Sequence, residues 1–108
     1  MGASPPKGRK GETMLTSKER ATLRGLANPL DTILQVGKGG VGETLIAQVN
    51  DALTARELIK MRVLPTCEMT VRETAETLAG ETNSEVVQVI GTRFILYRNN
   101  PEKNIIKL

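Results

Sequence analysis

Thr32-Ile33-Leu34-Gln35-Val36-Gly37-Lys38-Gly39-Gly40-Val41-Gly42-Glu43-Thr44-Leu45-Ile46 changes its hydrophobic pattern within a few residues, and that change decides the fold. Residues 32–36 are rich in β-branched side chains and read as a short strand. Four glycines within residues 37–42 interrupt it. Leu45, Ile46, Val49 and Leu53 then recur at helical spacing, which predicts a helix from about Gly42 to Leu53. A strand running through a glycine turn into a helix is the building unit of an α/β domain.

Working outward, Thr16-Ser17-Lys18-Glu19 has the form of a capping box, with Thr16 as N-cap and Glu19 reaching back to it. Leu23, Leu26 and Ala27 follow as an apolar helical stripe, and Pro29 ends that helix. Downstream, Glu57 to Leu64 alternates. Ile59, Met61 and Val63 point one way and Lys60 and Arg62 the other, as in a half-buried strand with a basic outer face. A third helix is expected from about Thr70 to Thr82, with Val71, Ala75, Leu78, Ala79 and Thr82 inward and Asn83 as a left-handed C-cap. Val86–Ile90 and Phe94–Arg98 form a hairpin about Gly91-Thr92. The order α-β-α-β-α-β-β predicts a compact α/β single domain on a four-stranded mixed sheet. Strands joined through helices should run parallel, and the hairpin adds an antiparallel one.

The chain has 108 residues, enough for one domain with a modest core. Residues 1–13, rich in Gly, Pro and Lys/Arg, read as a disordered basic tail; 14–98 as the folded domain; 99–108 as a C-terminal tail whose Ile105-Ile106-Lys107-Leu108 is apolar enough to pack back. The single Cys67 has no partner for a disulfide and no histidine beside it, and reads as an incidental thiol. No apolar run approaches the roughly 20 residues of a membrane span, and no signal peptide is evident, so the expected location is the cytoplasm. Without histidine or Cys/His clusters, catalytic and metal sites have little to build on, so neither an enzyme nor a metal protein is expected. The net charge is +3, of which the tail supplies two, so any nucleic-acid site must be a local patch. Phe94 and Tyr97 are the only aromatic residues and there is no Trp. Stacking several bases on exposed rings is therefore out of reach, and Tyr97 reads as structural.

The glycine loop admits three readings. It can be a plain strand-to-helix turn. It can be a nucleotide P-loop, since Gly37 and Gly42 have that spacing, but Glu43 stands where a lysine must reach the phosphates, so no nucleotide cofactor is expected. Or Gly37-Lys38-Gly39-Gly40 can be a GxxG loop that lets a nucleic-acid backbone approach main-chain amides, with Lys38 as a mobile cation. Lys60 and Arg62, Arg20 and Arg24 one helical turn apart, and Arg98 on the last strand are the candidate cations around it. Each also has a bland reading as solvated surface charge.

Leu26-Ala27-Asn28-Pro29-Leu30, Val36-Gly37-Lys38-Gly39-Gly40, Glu57-Leu58-Ile59-Lys60, and Val89-Ile90-Gly91 with Leu96-Tyr97-Arg98 occur in that order over about residues 14–100. In them the chain resembles the YhbY family, the bacterial stand-alone CRM domain. The resemblance implies a domain similar to the C-terminal domain of bacterial translation initiation factor three. It also implies binding of ribosomal RNA in large-subunit precursors through Gly37, Lys38, Gly39 and Gly40. Two positions depart from the family: Gly42 stands where a capping Thr is usual, so the second helix is expected to fray at its start, and Asn83 replaces a glycine. The rival expectation is a module that docks on ribosomal proteins or assembly factors, using apolar or acidic surface such as Glu73, Glu76, Glu81 and Glu85.

Overall fold

The computed structural model describes residues 15–100 together with Glu102 and Ile106. The expected basic tail 1–13 lies outside the described residues, as does most of the C-terminal tail. The elements are α1 (Ser17–Ala27), β1 (Leu34–Val36), α2 (Glu43–Arg56), β2 (Leu58–Val63), α3 (Val71–Thr82), β3 (Glu85–Ile90) and β4 (Arg93–Tyr97). The capping box at Thr16 and Glu19 closes with both of its hydrogen bonds, and a second one, Thr70 with Glu73, starts α3. Asn83 ends α3 in the left-handed region, at φ 55°.

The sheet order is β1-β2-β4-β3, with β1 parallel to β2 and both other pairs antiparallel. The expected mixed sheet is present, but β3 does not extend a parallel run beside β2. The hairpin inserts β4 between them. The reason lies in Phe94-Ile95-Leu96-Tyr97, whose four side chains are all buried. A strand apolar on both faces belongs at the centre of a sheet covered on both sides. β3, which carries Glu85 and Gln88, takes the edge.

Helices α2 and α3 cover one face, packing Val49, Leu53, Ala75 and Leu78 on Val36, Ile59, Met61, Val63, Phe94 and Leu96. Helix α1 covers part of the other, placing Leu23 and Ala27 on Leu58, Val87, Ile95 and Tyr97. A bulge between Val86 and Gln88 makes this possible: Val86 stays with the first layer and Val87 joins the second. The expectation of a basic outer face on β2 is thus corrected at its start. Leu58 lies under α1, and only Lys60 and Arg62 remain partly exposed. Leu26 departs from the expected stripe as well. It is 46% exposed and, with Leu30, borders an open groove of about 730 Å³ toward which Ile106 also packs.

Candidate nucleic-acid interface

The loop between β1 and α2 is a tight turn. The Gly40 amide donates to the Gly37 carbonyl at 2.9 Å, and Gly40 takes φ +66°. The glycine that the backbone requires is therefore Gly40, since a side chain at that φ is strained. Gly39 has no positive φ, and a Cβ there would meet nothing within 4 Å. Lys38 and Gly39 form the exposed tip. Gly42 is the N-cap of α2 in extended conformation and supplies no side-chain hydrogen bond, so the first amides of the helix are left to the loop and to whatever approaches it.

Three backbone hydrogen bonds tie together the chain segments around this loop at one end of the sheet. Leu64 donates to the Val36 carbonyl at 2.9 Å, Val63 to that of Thr92 at 2.7 Å, and Cys67 to that of Leu64 at 3.0 Å. The exit of β1, the exit of β2 and the Gly91-Thr92 turn thus share one end. Thr66 and Met69 flank the loop, close to Gly37 and Gly40 respectively. Cys67 is partly buried against the core beside them.

The predicted cations separate into three groups. Arg62 belongs to the loop end: it sits opposite Gln35 on β1 and opposite Arg93 on β4. Lys60, two residues back on the same face, donates from Nζ to the Asn28 carbonyl at 3.1 Å. That carbonyl closes α1, where the helix dipole favours a cation. Arg20 reaches the edge of β3, donating to the Val86 carbonyl and lying 3.8 Å from the Glu85 carboxylate. Arg24, one turn further along α1, is partly exposed.

Arg98 lies at the opposite end of the sheet. Its neighbour Tyr97 pairs with Leu58 at the start of β2, whereas the loop adjoins the end of β2. Its guanidinium donates to Asn50 Oδ1 at 2.7 Å, the Thr82 carbonyl at 2.8 Å, the Asn50 carbonyl at 3.0 Å and Thr54 Oγ1 at 2.8 Å. Burial pushes its pKa below the ordinary arginine value. Arg98 therefore braces α2 against α3 through four hydrogen bonds from Nη1 and Nη2. Beside it, fully buried Glu57 ends α2 at φ 67° and accepts the amides of Asn100 at 3.2 Å and Ile106 at 2.9 Å. Burial likewise pushes the Tyr97 phenol up, against the opposing effect of its hydrogen bond with Asn99.

Residues 15–98 match the model of the CRS1 / YhbY (CRM) domain. The chain belongs to this family. It is 45% identical to "Probable RNA-binding protein YqeI" of Bacillus subtilis over 88% of its own length and 99% of that protein's. With an "RNA-binding protein" of Haemophilus influenzae it shares 33% identity over 86% of this chain and 94% of that one. The solution structure of the hypothetical protein SAV1595 from Staphylococcus aureus superposes with a TM-score of 0.74 at 47% identity, covering 88% of this chain and 99% of that one. These names describe RNA binding rather than catalysis. Among the described residues no helix is long and apolar enough to cross a membrane, and no three His, Cys, Asp or Glu side chains converge to hold a metal.

Arg93, which the sequence reading did not count among the candidate site residues, stands at the loop end of the sheet opposite Arg62. Its place as the first residue of β4, after the Gly91-Thr92 turn, was readable from the sequence. Its position opposite Arg62 was not, because the pairing of β4 with β2 is set by tertiary structure.

Proposed function

We propose that this CRM domain is a non-catalytic RNA-binding protein of the cytoplasm that engages ribosomal RNA in large-subunit precursors during ribosome assembly. The RNA backbone is held at the Gly37–Gly40 loop, with Lys38, Lys60 and Arg62 as neighbouring cations. One observation carries this reading above the others. The loop tip is exposed and open at Gly39, so a backbone can approach the main-chain amides without meeting a side chain. The names of the relatives support the same ligand class. With about three to five phosphate contacts, the logarithm of the association constant should fall with the logarithm of salt at a slope near −2 to −4.

The test is sedimentation of cell extract at low and high salt, with and without ribonuclease. The protein should travel with large-subunit precursors at low salt and leave them after nuclease or in high salt. A second reading, docking on ribosomal proteins or assembly factors, is favoured by the groove beside the exposed Leu26 and Leu30. Association that survives complete RNA digestion would select it.

A further inference from the structure

Arg62 and Arg93 are direct partners across β2 and β4, so their side chains leave the same face of the sheet. Like charges placed opposite one another repel. Neither takes part in the ion pairs found among the described residues, which join Arg20 to Glu85 and Arg72 to Glu76. Arg93 is exposed, and Arg62 Nε is buried with no hydrogen-bond partner. Two unneutralised guanidinium groups set opposite one another are a cost, and an anion bound between them offsets it.

The ligand class follows from three features together. The whole chain has two aromatic side chains, and both are inside: Phe94 is 0% and Tyr97 5% exposed. No ring is left on which an unpaired base can stack, and stacking is a main source of affinity for single strands. Double-helical RNA is recognised through phosphates, 2′-hydroxyls and shape instead. The anchor points are also rigidly set. Gln35, Arg62 and Arg93 occupy three adjacent strands, which puts Arg93 about 10 Å across from β1 and its glycine loop. Strands hold that separation constant, which suits the preset phosphate spacing of a helix.

We infer that Arg62 and Arg93 form a phosphate clamp, and that with the glycine loop they make this end of the sheet a site for the backbone of double-helical RNA. The inference rests on the RNA-binding reading above and adds to it the strandedness of the ligand and a second contact point.

The experiment is fluorescence anisotropy with an RNA duplex of about 16 base pairs, the span that a compact duplex-binding domain covers, and with one of its strands alone, chosen to be unstructured. Wild-type protein should bind the duplex at least about tenfold more tightly. Arg93→Gln and Arg62→Gln should each weaken duplex binding about fivefold and reduce the salt slope by about one, as expected for the loss of one phosphate contact. Thermal melts check folding. Arg93 is exposed, so Arg93→Gln carries the test even if Arg62→Gln does not fold. A single strand bound as tightly as the duplex overturns the inference, and so does an Arg93→Gln protein with unchanged duplex affinity and slope. Binding to the single strand alone leaves the RNA-binding reading standing and removes this one; binding to neither RNA removes both.

Discussion

The two ends of the sheet use the same residue type in opposite ways. At one end, Arg98 spends its guanidinium on Asn50, Thr54 and Thr82, and buried Glu57 gathers the amides of Asn100 and Ile106. At the other end, the side chains of Lys38, Arg62 and Arg93 make no hydrogen bond or ion pair among the described residues, and the backbone turns through glycines. The first end is satisfied internally, and the second keeps cations without ion pairs among the described residues. Arginine by itself reports neither role. What decides is whether carbonyls and hydroxyls converge on it, since a guanidinium with all its donors engaged has little left for phosphate.

The largest effect that would break this comparison is at the braced end. Arg98→Met should lower unfolding free energy by about 2–3 kcal/mol in urea titrations, because several part-buried acceptors lose their donor at once. RNA affinity of the folded fraction should stay at the wild-type value. A variant with native stability and tenfold weaker RNA binding would return Arg98 to the interface.

At the open end the signs reverse. Lys38→Asp with Gly39→Asp should weaken RNA binding at least about tenfold, or 1.4 kcal/mol, with the thermal midpoint nearly unchanged, because Gly39 has open space and no positive φ. Filter binding to large-subunit ribosomal RNA beside a melting curve tests both halves. Unaltered affinity in a folded double variant reduces the loop to a turn.

The smallest effect sharpens the picture within the loop. Gly40→Ala should cost about 1 kcal/mol of stability, as a side chain forced into positive φ does, while Gly39→Ala should cost clearly less. Equal melting temperatures for the two would mean that Gly40 is not held at φ +66° in solution.

Much of this architecture was legible in local sequence. The Thr16–Glu19 capping box, the Asn83 cap, the glycine loop and the Gly91-Thr92 turn all depend on groups a few residues apart, so the residues that form them lie together in the chain. The helical spacing around Leu45–Leu53 and the alternation around Ile59–Val63 reported which faces are buried. The turn at the candidate site was legible in the same measure: the glycine segment could be located between strand and helix, while its requirement for positive φ falls at Gly40.

What the sequence by itself determined, then, is the series of seven elements, the caps at Thr16 and Asn83, and the family. Only the tertiary structure decided the order of strands, and with it which cations belong to the loop. Placing β4 between β2 and β3 buries Phe94, Ile95, Leu96 and Tyr97 on both faces, sets Arg93 against Arg62, and carries Arg98 to the far end among the acceptors of α2 and α3. These outcomes depend on contacts between residues far apart in the chain, 31 positions for Arg62 and Arg93 and 48 for Arg98 and Asn50. Local propensity is silent about such contacts, because burying a strand on two faces is a property of the whole sheet and not of any segment in it.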